Sequence, residues 1–246
     1  MVKIILLHVN GRGILWQSRI LAQRDRAQQL RREVSQVLMP QDKAERLHFT
    51  QSYAGGEGAA WAELPYWQWD VEQSGCGLCS MTMCVDLLTG QELTPADVLA
   101  HYQRDGMDEC AKSLVGGRNL CPKLNKYNER TFGVRASDLE RSVDAFAEAL
   151  AQGDVIWASS ADRQGTHPWH FADGTQQPLD ETGMQHHHGH IVCIWRHEDG
   201  AFLVKDPIGP RRLCNNVRYT DEQMALWLAG NDHQQYRVTL ASGATA

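Results

Sequence analysis

No stretch of this 246-residue sequence approaches the run of roughly 18 apolar residues that a membrane-spanning helix requires, so no span is expected. Positive charge is not in excess either. Lysine and arginine total 24 against 30 aspartate and glutamate, a net charge of −6, which argues against a general nucleic-acid binder. A disulfide framework is also missing: the seven cysteines, Cys76, Cys79, Cys84, Cys110, Cys121, Cys193 and Cys214, are odd in number and irregularly spaced. The apolar run Val2 to Val9 holds one lysine and lacks a small-residue cleavage site, so it reads as a strand rather than a signal peptide. Synthesis in a reducing, cytoplasmic compartment is therefore the expectation. No internal repeat is visible. What is present, 42% hydrophobic and 22% charged residues, suits one large globular domain or a domain with an appendage.

The chain reads in two parts. After the turn Asn10 to Gly13, residues 14–38 form an expected helix with Ile20, Ala27, Leu30, Val34 and Val37 on one face and an arginine-rich opposite face. Gln51 to Ala60, with Gly55-Gly56-Glu57-Gly58, looks like a linker. The expected organisation is thus an N-terminal segment, 1–60, and a main domain, 61–246. Within the latter, Thr94-Pro95-Ala96-Asp97 is a strong helix start, and Gly106 to Arg130 reads as irregular. Ser137-Asp138-Leu139-Glu140 has the form of a capping box and predicts a helix burying Leu139, Val143, Phe146 and Leu150. Val155 to Ser160 is an expected strand, and Asp162 to His188 a long polar segment. Ile191–Arg196 and Ala201–Lys205 are expected to be strands joined by a turn at Glu198-Asp199-Gly200. A short helix from Thr220 and a strand over Tyr236–Leu240 complete an α+β order, with helices first and antiparallel strands last.

The stretch from Gly75 to Gly90 organises the rest. Two glycines flank Cys76, and Ser80, Met83, Cys84, Leu87 and Leu88 follow at the spacing of one helix face. Cys76 therefore opens a helix, where unpaired N–H groups and the helix dipole favour thiolate over thiol. A structural cysteine needs no such placement; Cys84, on the apolar face, is of that kind. Two further residues complete a constellation. His190 begins an apolar strand, and Asp206, before Pro207, ends the next. If those strands are hairpin neighbours, His190 and Asp206 meet at one end of the sheet. A cysteine, a histidine and an orienting acid are the parts of covalent acyl transfer.

The run SGCGLCSMTMCVDLLTG, Gly189-His190 before a strand, and Lys205-Asp206-Pro207 at a strand end resemble the papain-like, double-glycine cysteine peptidases, a family that includes bacteriocin-processing domains, stand-alone relatives and toxin domains. The resemblance covers roughly residues 61–240. It implies a papain-like α+β fold, with N-terminal helices, the catalytic cysteine at a helix start and a C-terminal antiparallel sheet. It implies Cys76, His190 and Asp206 as the triad, no metal and no cofactor. It further implies a protein or peptide substrate with Gly-Gly before the scissile bond. A toxin-type member would act on a bacterial target protein after delivery by a signal-independent route and would have a neutralising immunity or inhibitor partner.

Two features depart from the family pattern. Its oxyanion-stabilising glutamine often stands six residues before the cysteine, where this chain has Asp70. Of Gln68 and Gln73, Gln68 has enough intervening chain to fold back over the helix N-terminus and is the expected oxyanion donor. Cys79 follows Gln73 by six residues, a second register in which Cys79 is the nucleophile; Ser80, Met83, Leu88 and Gly90 favour Cys76. Other readings compete. Cys76-Gly-Leu-Cys79 is a CxxC that could serve as a redox pair, but no thioredoxin-like βαβ context surrounds it. His186, His187, His188 and His190 suggest a metal, yet successive strand residues point to opposite faces. His167 and His170 read as loop residues. Within the thiol-enzyme class, amidases, isopeptidases and acyltransferases share the fold, and a catalytically idle binding module is the alternative of another class.

Overall fold

The computed structural model describes residues 39–51, 60–115, 119–160, 190–209, 214–229 and 233–241. The expected strand 2–9 and helix 14–38, the Gly55-Gly56 linker and the loop histidines 167, 170 and 186–188 lie outside the described residues.

In chain order the elements are α1 (Gln41–Arg46), the two-residue strands β1 (Pro65–Tyr66) and β2 (Trp69–Asp70), α2 (Val71–Ser74), α3 (Cys76–Thr89), α4 (Pro95–Arg104) and α5 (Asp108–Ala111). A 3-10 turn over Lys112–Leu114 precedes α6 (Pro122–Thr131), β3 (Val134–Leu139), α7 (Val143–Ala151) and β4 (Val155–Ser160). Then come β5 (His190–Glu198), β6 (Ala201–Lys205), β7 (Val217–Thr220), α8 (Asp221–Ala229) and β8 (Gln235–Leu240). Among the described residues, β3 to β8 form one antiparallel sheet in the order β3-β8-β4-β5-β6-β7. Helices first and antiparallel sheet last is the α+β arrangement expected from the sequence.

The sheet has a helix layer on each face because its central strands are apolar on both sides. On β4 and β5, Trp157, Ile191 and Cys193 join the core formed with α3. Their neighbours Ile156, Ala158, Val192 and Ile194 join Phe146 of α7 and Met224, Trp227 and Leu228 of α8 on the other face. Burial of α3 goes further than its amphipathic pattern suggested. Every residue from Cys76 to Leu88 is buried, since the sheet covers one side and α4 with its neighbours the other. Two hydrogen bonds pin α3 to the sheet: Ser80 Oγ donates to the Ile191 carbonyl (3.0 Å) and Trp157 Nε1 to the Gly77 carbonyl (3.1 Å).

Local chemistry explains several boundaries, and three differ from expectation. Thr94 caps α4 in a full capping box with Pro95 in the first turn. The turn between β5 and β6 places Asp199 (φ 50°) and Gly200 (φ 68°) both left-handed, the type I′ geometry that matches strand twist. Ser137 to Leu139, by contrast, is strand and not a helix start. Pairing with β8 wins there, and Ser142 caps α7 instead, accepting from the Ala145 N–H at 3.2 Å. The described residues of 106–130 include two helices and a 3-10 turn where an irregular stretch was expected: Pro122, preset for the first helical turn, opens α6. β7 was also missed, a four-residue edge strand that alternates buried and exposed positions.

Residues 39–51, placed before the expected joint near 60, pack against the main domain. Met39 and Ala44 join the α3 core, and Phe49 meets Trp61 edge-on at 5.5 Å. The Glu45 carbonyl accepts from Asn215 Nδ2 (2.8 Å), Asn216 Nδ2 (2.9 Å) and the buried Lys205 Nζ (3.5 Å). The same lysine donates to the side-chain oxygens of Asn215 (2.8 Å) and Asn216 (3.0 Å), so its buried charge is solvated by protein dipoles.

Candidate active site

The site is built at the junction of α2 and α3. Asp70 caps α2, its Oδ1 accepting from the Gln73 N–H at 2.9 Å. That helix stops after one turn, and Gly75 lets the chain restart as α3. A Cβ on Gly75 would lie 2.4 Å from both Val71 Cγ1 and the Val71 carbonyl oxygen. Cys76 is consequently the first residue of α3, where the N–H groups have no intrahelical acceptor. Gly77 is equally constrained, since a Cβ there would stand 2.0 Å from the Leu114 carbonyl oxygen.

Antiparallel pairing of β5 and β6 brings the start of one strand and the end of the other to the same sheet end. His190 and Asp206 meet there, both buried, with Nε2 and Oδ1 2.6 Å apart. Cys76 lies close enough to His190 for its thiol to act on the ring and raise the pKa of His190. The structure thus joins Cys76, His190 and Asp206 in one chain of contacts. Burial by itself would lower the His190 pKa. The charge and hydrogen bond of Asp206, with the Cys76 thiol, more than offset this and push it up to about 10. Asp206 moves the opposite way. Burial raises it, but His190, the Ile208 N–H and His48 outweigh that and hold the carboxyl below its ordinary range. The Ile208 N–H donates to Asp206 Oδ1 at 3.0 Å, so one carboxylate oxygen is held by two donors.

Cys79, the alternative nucleophile, is one helical turn further into the core and wholly buried. Burial and the neighbouring Cys76 raise its thiol well above the ordinary range. It is in no position to act as the exposed partner of a CxxC redox pair.

Gln68 stands exposed in the turn between β1 and β2, after Trp67 in the left-handed region (φ 59°). It lines a groove with Tyr66, Leu99 and Gln103. The tight hairpin turns its side chain outward, and no hydrogen bond to Cys76 or His190 is formed. A different glutamine lies against the site. Gln51 is buried; its N–H donates to the Pro207 carbonyl (2.7 Å) and its Nε2 to the Glu72 carbonyl (2.7 Å). It therefore bridges the residue after Asp206 and the short helix that leads into Cys76. Its Oε1 is buried without a hydrogen-bond partner among the described residues. Neighbouring residues add to the same seam: Thr50 Oγ1 donates to the Pro207 carbonyl (3.2 Å), and His48 Nε2 lies 2.7 Å from the Asp206 carbonyl oxygen. Sequence reading passed over Gln51 because it lies 25 residues before Cys76, at the start of the expected linker. Around it Leu47 and Phe49 pack against the core and Thr50 and Gln51 are both buried, with no alternation in the sequence to mark Gln51 out.

The aromatic residues before the cysteine divide. Tyr66 is core, its hydroxyl donating to the Ala111 carbonyl at 2.9 Å. Trp67 and Trp69 are 43% and 42% exposed and stack edge-on at 4.8 Å. Among the described residues no cluster of three or more histidine, cysteine, aspartate or glutamate side chains is arranged to hold a metal ion. No described helix is long and apolar enough to cross a membrane.

No protein-family model matches the chain, and no curated protein matches it. Among solved structures, the crystal structure of a "putative C39-like peptidase" from Bacillus anthracis aligns with a TM-score of 0.45 at 12% identity, covering 81% of this chain and 97% of that one.

Proposed function

We propose that this protein is a cysteine peptidase in which Cys76 is the nucleophile, His190 the general base and acid, and Asp206 the residue that orients His190. The observation that carries the reading is a His190 ring held by the Asp206 carboxylate at 2.6 Å and close enough to the Cys76 thiol to be shifted by it. Asp206 on Nε2 fixes the ring and stabilises its protonated form, the role of the acid in such triads. The Cys76 thiolate attacks the scissile carbonyl carbon. Protonated His190 gives its proton to the leaving amine, and a thioester acyl-enzyme remains. Water, deprotonated by His190, then releases the acid and restores the thiol.

The developing oxyanion forms over the start of α3. The Cys76 N–H is one donor, and Gln51 Nε2, which has a second N–H beyond the one given to Glu72, is the other. Gln51 replaces Gln68 in this reading because its backbone N–H is held by Pro207 and its side-chain amide by Glu72, whereas Gln68 is at an exposed turn. A Gly-Gly preference before the scissile bond is the finer reading, resting on the sequence resemblance: a chain without Cβ atoms passes closest to a nucleophile set at a crowded helix start.

The test uses peptides with Gly-Gly before the scissile bond and matched peptides with either glycine replaced by valine. Cys76→Ser removes cleavage. Gln51→Ala lowers kcat by about 10²–10³, the usual effect of losing one oxyanion donor, and Gln68→Ala stays close to wild type. Loss of activity in Gln68→Ala with an active Gln51→Ala would return the role to Gln68. Absence of cleavage across a broad peptide library would overturn the peptidase reading, and equal cutting of the valine peptides the Gly-Gly preference.

A further inference from the structure

Cys110 and Cys121 differ from the cysteines of the core. Cys110 lies in α5, and Cys121 directly precedes α6. Both are only partly buried, whereas Cys79, Cys84 and Cys193 are closed off completely. Ser113 ties their backbones together: its Oγ donates to the Cys110 carbonyl (2.7 Å) and accepts from the Cys121 N–H (2.9 Å). The two thiols lie close enough for each to shift the other's ionisation. Cys84 and Cys193 also approach each other, to 3.6 Å, but no dissolved oxidant reaches them, and burial raises Cys84 well above the ordinary thiol range. Cys121 is shifted the other way. Burial opposes ionisation, yet the first-turn N–H groups of Leu124 and Lys123, the Cys110 thiol and the Lys123 ammonium together lower its pKa. An accessible, more easily ionised thiol beside a second thiol has the arrangement of an attacking and a resolving cysteine.

We propose that Cys110 and Cys121 form a reversible disulfide by exchange with a small-molecule disulfide such as oxidised glutathione. The Cys121 thiolate attacks one sulfur of the oxidant; the oxidant's S–S bond breaks and one glutathione thiolate leaves. Deprotonated Cys110 then attacks the Cys121 sulfur of the mixed disulfide and expels the second glutathione thiolate. The two protein thiols are oxidised, the oxidant is reduced to two thiols, and the protons lost by the cysteines are taken up by the departing thiolates. The closed ring includes Leu114, fully buried, whose carbonyl abuts Gly77. At its other end the Leu120 N–H donates to the Tyr236 hydroxyl at 2.8 Å. The disulfide therefore staples the segment that braces the first turn of α3, one residue beyond Cys76.

The experiment incubates the full chain with oxidised glutathione, alkylates the remaining thiols under denaturing conditions, digests with trypsin and maps the peptides. The expected product is a cross-link between the peptides 105–112 and 119–123, with Cys84 and Cys193 still alkylated. Cys110→Ser should stop at a glutathione adduct on Cys121. Thermal unfolding of the oxidised protein should shift upward by roughly 5–10 °C through the closed loop, and not in Cys110→Ser. Full alkylation of both thiols after exposure, or a lasting glutathione adduct on Cys121 in the wild-type chain without the cross-link, would overturn the proposal. An unchanged unfolding temperature in the cross-linked protein would overturn the bracing role. None of these readouts depends on peptidase activity.

Discussion

Replacing Asp206 by asparagine separates charge from shape at the centre of the site. The side chains are nearly isosteric, and asparagine Oδ1 can still accept from His190 Nε2 and the Ile208 N–H, as Asp206 Oδ1 does at 2.6 and 3.0 Å. What disappears is the negative charge that, against burial, holds the His190 pKa at about 10. Without it, burial pulls the imidazole back toward or below its ordinary 6.5. At pH 7 the ring then goes from almost fully protonated to at most about one quarter protonated. The population of protonated His190 at pH 7 therefore falls by at least about fourfold. The assay is the rate of Cys76 alkylation by iodoacetamide near pH 7, read by mass spectrometry of the Cys76 peptide and needing no substrate. Asp206→Asn should slow it by at least about fourfold while unfolding close to the wild-type temperature. An unchanged alkylation rate in a folded variant would refute the argument that Asp206 acts on Cys76 through His190.

Further outcomes follow from the same geometry. Cys79→Ala should keep most activity and lose only packing, whereas Cys76→Ser should be inactive; the reverse pattern in cleavage assays would restore the Cys79 register. Gly77→Ala should destabilise the fold by about 1–3 kcal/mol, because its Cβ would meet the Leu114 carbonyl at 2.0 Å, and lower Tm by roughly 2–12 °C. Stability should also vary with pH. The raised His190 pKa contributes stability in full below 6.5, lost as pH rises through about 10. The lowered Asp206 pKa contributes above 3.8 and is lost as pH falls through its folded value. Denaturant midpoints should therefore be highest between about pH 4 and 6.5 and fall on either side, and the alkaline fall should be absent in His190→Ala.

The sequence by itself determined the features that depend on short-range pattern. Gly75-Cys76-Gly77 before an apolar 3.6-residue repeat specifies a helix start at the cysteine, and Asp199-Gly200 between two apolar runs specifies a hairpin. That hairpin in turn brings His190 and Asp206 to one sheet end, because antiparallel pairing leaves no other arrangement. Only the tertiary structure decided matters that rest on long-range packing. Ser137-Asp138-Leu139-Glu140 carries a sound capping signal, yet pairing of its chain with β8, about one hundred residues later, outweighs that local preference. The choice between Cys76 and Cys79 turns on which one faces His190 and which one is enclosed by core, and both lie on the same helix one turn apart. Gln51 comes to the site because Pro207 and Glu72, 156 and 21 residues away along the chain, each offer its backbone or side chain an acceptor. Spacing along the chain counts residues, while an oxyanion donor is selected by its position in space. For that reason the meeting of His190 and Asp206 near Cys76 was legible in the sequence, and the place of Gln51 was not.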